Sequence, residues 1–211
     1  MAEKCIVDPR YYTTDYYLDE ADGGFEFKQN PFKLPKCFEQ SIKTVRIKEE
    51  QSILDIGCGR GDVIYYLSTK VKKIVGVDYS EDSIRLTTKI LSTLPSYLNS
   101  KIELYNMDIN EILPKLGKFD IVFLLDVVEH MYPEQLEKMY NELFKHLNKG
   151  AEIIIHTPIA DSEEEKHFFL PNTKQQIMHI NINTLEEHTK YIKDKMYVER
   201  LNKRLIKATL K

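Results

Sequence analysis

An α/β fold, with a mostly parallel sheet covered by helices on both faces, is the architecture the sequence predicts. Three observations carry this. From residue 52 onward, short apolar runs alternate with longer segments at helical spacing. The first apolar run opens into a glycine-rich turn, "ILDIGCGRGD". The last two runs, "MYVERL" and "RLIKATLK", are parted by about two residues, Asn202 and Lys203, too few for a crossover, so they form an antiparallel hairpin.

The elements follow in order. "SILDIG" (52–57) reads as a buried strand and "GDVIYYLSTK" (61–70) as a helix. "KIVGVD" (73–78) is a second strand. "SEDSIRLTTKILSTL" (80–94) is a helix with Ser80 as N-cap and acids in its first turn. "KIELYNMD" (101–108) and "FDIVFLLD" (119–126) are the third and fourth strands. "PEQLEKMYNELFKHLNKG" (133–150) is the clearest helix, with Pro133 in its first turn and Gly150 at its end. Leu136, Met139, Tyr140, Leu143, Phe144 and Leu147 share one face of it. "AEIIIHT" (151–157) is a fifth strand. The long connection 158–183 reads as a functional lid or an unstructured stretch. Thr184 and Glu187 make a capping box for a helix over 184–195. Ahead of all this, residues 1–40 read as irregular and tyrosine-rich, with a short helix near 36–47. The expected division is an N-terminal extension over 1–45 and one main domain over 46–211.

Bulk composition narrows the class. With 211 residues, 42% hydrophobic and 30% charged, the chain suits one soluble domain with a sizeable core. A formal net charge of −3 points away from nucleic acid or anionic membrane as partners. The three cysteines, Cys5, Cys37 and Cys58, make no CxxC pair, so reduced thiols and no structural zinc are expected. No apolar run approaches the roughly 18 residues of a membrane span. "MAEKCIVDPRYY" lacks the basic-then-apolar pattern of a secretory signal, which makes the cytoplasm the default compartment.

The glycine loop carries the chemistry. A dinucleotide site uses GxGxxG and rests a pyrophosphate on the helix N-terminus. Here the pattern is GxGxG, at Gly57, Gly59 and Gly61, and Asp62 follows. A carboxylate there would repel a pyrophosphate in a partly dry site. Asp55 adds a second acid, so the loop favours a ligand with positive charge. S-adenosylmethionine fits, through its sulfonium and ammonium groups. Asp78 ends the second strand, where a carboxylate can accept both ribose hydroxyls. That device also serves NAD, so Asp78 argues for adenosine without choosing the cofactor. Asp108 can accept from the adenine amine, with Met107 and Ile109 flanking the ring, or it can cap "INEILPKL".

"ILDIGCGRGD", "IVGVDYS", "NMDI" and "FDIVFLLDVVEHMYP" resemble, in order and spacing, the motifs of class I S-adenosylmethionine-dependent methyltransferases. The resemblance covers about 50–157 and weakens over 158–211, where "MHININTLEEHTKYI" is similar to a segment of one bacterial branch. It implies a Rossmann-like, seven-stranded sheet whose last strand runs antiparallel, matching the hairpin read above. It implies cofactor contacts from Asp55, Gly57, Cys58, Gly59, Gly61 and Asp62, then Asp78, Tyr79 and Ser80, then Met107, Asp108 and Ile109, then Leu125 and Asp126. It also implies an N-terminal lid built from Tyr11, Tyr12, Tyr16, Tyr17, Phe25 and Phe27, although sheet-edge packing or a homodimer contact would use the same residues.

"LLDVVEHMYP" and "MHIN" hold the candidate catalytic residues, His130, Glu129 and His179. Methyl transfer needs an aligned nucleophile and excluded water, and an oxygen or nitrogen nucleophile also has a proton to lose. His130 is the candidate base, with Glu129 or Asp126 orienting it. The alternative is that Glu129 and His130 only tie strand to helix. His156 is expected to be structural at the pocket floor and His167 solvated. The expected reaction is transfer to a small molecule, sugar-derived or a secondary metabolite, with no metal. Asp126, Glu129, His130 and His179 also resemble the E-x-x-E-H plus distant histidine of metal-assisted small-RNA 2′-O-methyltransferases, with aspartate at the first position. A nicotinamide-dependent oxidoreductase and a non-catalytic cofactor-binding protein are the remaining alternatives.

Overall fold

A computed structural model of the chain describes residues 6–169 and 177–211. Cys5 and the middle of the long connection lie outside the described residues. The alternating runs become strands β1 (Ser52–Ile56), β2 (Lys73–Asp78), β3 (Ile102–Asn106), β4 (Phe119–Leu125) and β5 (Leu147–His156). A small pair follows, β6 (Ile159–Ala160) with β7 (Asn183–Thr184), then the hairpin β8 (Met196–Arg200) and β9 (Leu205–Leu210). The main sheet has seven strands in the order β3-β2-β1-β4-β5-β9-β8. Strands β1 to β5 are parallel, and β9 runs antiparallel to both β5 and β8.

Both faces of the central strands β1, β2 and β4 are covered, which is why they read as apolar runs without polar alternation. Leu54, Ile56, Val75, Val77, Val122 and Leu124 pack on one face against the helix Pro133–Leu143. Ile53, Ile74, Ile121, Phe123 and Ile154 pack on the other, against the helices Asp62–Leu67 and Glu81–Leu91. Successive residues of one strand thus feed opposite cores. Leu136, Met139, Tyr140 and Leu143 are buried, as their spacing predicts. Ser80 caps its helix by accepting from the Ser83 amide at 3.2 Å, and Thr184 with Glu187 forms the expected capping box.

Three boundaries differ from expectation. The helix predicted to Gly150 stops at Leu143, and residues 144–146 tighten into a 3₁₀ turn. Strand β5 then begins at Leu147, opposite Phe119, and the ladder shifts register before Glu152 meets Ile121. Gly150 sits in that bulge at φ +74°, so it serves the sheet rather than the helix end. The helix predicted over 184–195 ends at Thr189. The N-terminal stretch read as irregular holds a helix at Gly24–Gln29, followed by Lys36–Ile42.

This order places a topological switch between β1 and β4. Ligands of open α/β sheets bind outside the carboxyl ends of the strands at such a point. Among the described residues, no helix is long and apolar enough to cross a membrane.

Candidate active site

The cleft at the switch point is lined by Asp55, the glycine loop, Asp78, Met107, Asp126 and His130, among others. Its empty volume, counting the open mouth, is about 1140 Å³. The loop turns through three left-handed glycines, Gly57 at φ +68°, Gly59 at +53° and Gly61 at +82°. At Gly61 a β-carbon would also stand 2.7 Å from Thr87 Cγ2, so neither backbone nor space admits a side chain.

Three carboxylates gather beneath this loop. Asp55, Asp62 and Asp78 are all buried, and burial pushes each carboxyl pKa above the usual range. The charges of Asp62 and Asp78 push Asp55 further the same way. Asp78 is restrained by hydrogen bonds: it accepts from the amides of Gly59 and Ser80, both at 2.9 Å, and the Ser83 and Tyr17 hydroxyls lie near enough to contribute. Asp62 Oδ2 accepts from Arg60 Nε at 3.0 Å, while its Oδ1 is buried without a hydrogen-bond partner among the described residues. An orphaned carboxylate oxygen beside two further buried acids suits a cationic ligand group.

Farther along, Met107, Asp108 and Ile109 line one wall. Asp108 caps the following short helix through the Asn110 amide at 2.7 Å, so the capping reading holds for one of its oxygens. Tyr79 also lines the cleft, and Ser80 Oγ donates to the Tyr12 carbonyl at 2.7 Å. Tyr12, Tyr16 and Tyr17 come from the N-terminal segment and line the same cleft. Tyr11 and Phe25 face solvent instead, and Phe27 packs beneath the Arg60 guanidinium.

The end of β4 forms the other half. Leu125 lines the cleft, and Asp126 follows with a left-handed backbone at φ +55°. Such strain, typically about 1–3 kcal/mol, persists where surrounding contacts hold it. Here Asp126 Oδ1 meets His156 Nδ1 at 2.7 Å and accepts from Arg204 Nη2 at 3.2 Å. Despite the opposing effect of burial, these partners hold the Asp126 pKa below its ordinary value. Glu129 goes the other way: burial and the charge of Asp126 raise it to about 8. Its Oε2 accepts from Thr157 Oγ1 at 3.0 Å.

His130 is buried, and burial lowers its pKa to about 3, so the ring is neutral. Its Nδ1 lies 3.1 Å from the Met178 carbonyl, which makes Nδ1 the protonated nitrogen and leaves the Nε2 lone pair free. The ring is therefore oriented by the long connection, not by Glu129 or Asp126 as expected. His179 stacks edge-on against it, with ring centroids 4.7 Å apart, and its own Nδ1 is buried without a partner among the described residues. Glu129, His130 and His179 offer ligand atoms that all lie within 4.8 Å of one another, a spacing that can hold a metal ion. His167 is exposed, as expected.

Sequence reasoning missed Arg60 and Arg204 as members of the site. Arg60 stands inside the quoted glycine motif. His156 was placed at the pocket floor, but nothing in the sequence paired it with Asp126. Arg204 is set by the hairpin register, which a single sequence does not reveal.

Residues 53–150 match the family model described as a methyltransferase domain, and they span the loop and strands that build this cleft. The matched segment, nearly half of the chain, is a domain of the class I S-adenosylmethionine-dependent methyltransferase type. The chain is 27% identical over 142 residues to a small RNA 2′-O-methyltransferase of Xenopus tropicalis, covering 62% of this chain and 38% of that protein. It is 30% identical over 150 residues to a tRNA U34 carboxymethyltransferase of Nautilia profundicola, covering 66% and 48% respectively. The chain thus spans half or less of the length of these curated relatives. Among solved structures, a magnesium protoporphyrin IX methyltransferase of Synechocystis shares the fold with a TM-score of 0.64 at 16% identity, covering 97% of this chain and 98% of that one.

Proposed function

We propose that this protein binds S-adenosylmethionine in the cleft and directs its methyl group to an oxygen or nitrogen of a small-molecule acceptor. The observation that supports this most is the buried, unpartnered Asp62 Oδ1 beside Asp55 and Asp78. In this reading Asp62 and Asp55 face the ammonium end, Asp78 accepts the ribose hydroxyls, and Met107, Asp108 and Ile109 hold the adenine. When bound, the cofactor supplies a methyl group already activated on a sulfonium. The chain has then to align the nucleophile and exclude water. Tyr12 and Tyr16 roof the cleft, which favours a small acceptor over a polymer. His130 Nε2 accepts a hydrogen bond from the nucleophile and orients it, and Asp126, held charged by His156 and Arg204, counters part of the basicity that burial takes from the ring.

Calorimetric titration with S-adenosylhomocysteine and, separately, NADH tests the cofactor. Micromolar binding of the first supports the reading; binding of NADH in its place moves the assignment to a nicotinamide-dependent oxidoreductase. His130→Ala is expected to spare S-adenosylhomocysteine affinity and to lower turnover of an identified acceptor by about 10²–10⁴-fold. Unchanged turnover would make His130 structural and remove the base from this mechanism.

A second reading, metal-assisted methylation of a ribose hydroxyl, is favoured by the Glu129, His130 and His179 cluster. Titration with Mn²⁺ decides between them: binding that His179→Ala abolishes supports the metal reading, and no binding leaves the small-molecule reading.

A further inference from the structure

Arg60 lies within the glycine loop, yet its side chain is only 3% exposed. Its donors reach three separate acceptors. Nε donates to Asp62 Oδ2 at 3.0 Å, Nη1 to the Tyr17 carbonyl at 2.5 Å and Nη2 to the Asp22 carbonyl at 2.7 Å. The guanidinium also stands 5.2 Å over the Phe27 ring. A planar fork of donors is what allows one side chain to bridge a carboxylate and two carbonyls at once.

The two carbonyls belong to a strap, residues 12–22, that crosses the cleft. Other ties flank it: Ser80 Oγ donates to the Tyr12 carbonyl, and Asp82 accepts from the Thr14 amide at 2.6 Å. Tyr17 lies against the loop, its ring 3.5 Å from where a Gly59 β-carbon would stand, and its hydroxyl approaches Asp78. With the strap down, Asp55, Asp62 and Asp78 are each less than a tenth exposed. Tyr12, Tyr16 and Tyr17 of the strap line the same cleft as these acids.

We infer that Arg60 is a positioning residue that couples cofactor binding to closure of the N-terminal strap. The inference rests on the cofactor reading above. One guanidinium fixes Asp62, so that its free Oδ1 faces the ammonium group, and with the same fork pins the strap above it. A ligand that engages Oδ1 stiffens Asp62, hence Arg60, hence the strap. Losing Arg60 leaves two strap carbonyls and a buried carboxylate without their donor.

Hydrogen exchange read by mass spectrometry on the full chain tests this, with S-adenosylhomocysteine as the probe and calorimetry for affinity. In the wild-type protein the ligand is expected to slow exchange over residues 14–24. In Arg60→Gln that stretch exchanges fast with or without ligand, β1 and β4 stay protected, and affinity falls on the order of tenfold or more. Arg60→Lys keeps the charge but loses the fork, and it is expected to leave the strap as open as Arg60→Gln does. Wild-type exchange over 14–24 in Arg60→Gln overturns the proposal, as does an opened strap with affinity within twofold of wild type. If Arg60→Gln also loses protection in β1 and β4, Tyr17→Ala takes its place. Weaker binding with a loosened strap then supports the coupling, and unchanged binding overturns it. A wild-type chain that ignores S-adenosylhomocysteine while the Arg60→Gln strap opens would remove the cofactor reading and leave the latch standing.

Discussion

Asp78→Ala is expected to weaken S-adenosylhomocysteine binding by about 1.5–3 kcal/mol, roughly ten- to 150-fold, because charge-assisted hydrogen bonds are lost. The carboxylate has two tasks, and the substitution removes both. It already accepts from the Gly59 and Ser80 amides, so it fixes the loop to the end of β2. It also lines the cleft, where the ribose hydroxyls are proposed to sit. Asp78→Asn separates the tasks, since one side-chain oxygen can still accept from the loop while the charge is gone. Affinity should therefore fall in the order wild type, Asn, Ala, and urea denaturation should show Asn nearer to wild type in stability. Equal affinity in wild type and Asp78→Ala would remove the ribose role and with it the adenosine half of the site.

Much of this site was legible because its chemistry is local. The glycine loop, Asp62 and Asp78 each follow a strand directly, and a parallel α/β sheet brings strand ends to one edge. The fold was legible for the same reason: apolar runs that are buried on both faces and helices with one apolar stripe state their own layers. What stayed hidden was long-range. Met178 orients His130 from 48 residues away, and Arg204 reaches Asp126 across 78. No spacing rule encodes either, because both depend on where the long connection and the final hairpin return. The misplaced helix end at Gly150 has a different cause. A glycine at positive φ suits a helix terminus and a β-bulge equally, and only the pairing of Leu147 with Phe119 selects the bulge.

Glu129 and Asp126 are three residues apart, yet their environments drive their protons in opposite directions. Asp126 is held ionised by His156 and Arg204. Glu129, buried beside that charge, is raised from 4.5 to about 8. At neutral pH Glu129 is then a neutral acid, which removes it as a base and suits it to hold Thr157 and the turn before the helix at Pro133. The linkage has a definite sign. Below pH 4.5 both native and unfolded Glu129 are protonated, and it adds no pH dependence. Between pH 4.5 and 8 the unfolded chain loses the proton while the native one keeps it, so its contribution to stability falls as pH rises. Above pH 8 the full loss is reached, on the order of 3–5 kcal/mol. Glu129→Gln, whose amide oxygen can still accept from Thr157, should lack this dependence. Urea denaturation across pH 5–9 is expected to show the variant gaining on wild type as pH rises, with the largest difference near pH 9. Parallel profiles for the two proteins would mean that Glu129 is charged in the native state. Mn²⁺ gives an independent reading, because a metal ligand must be deprotonated: if the ion binds here, it should flatten the wild-type profile and leave that of Glu129→Gln unmoved.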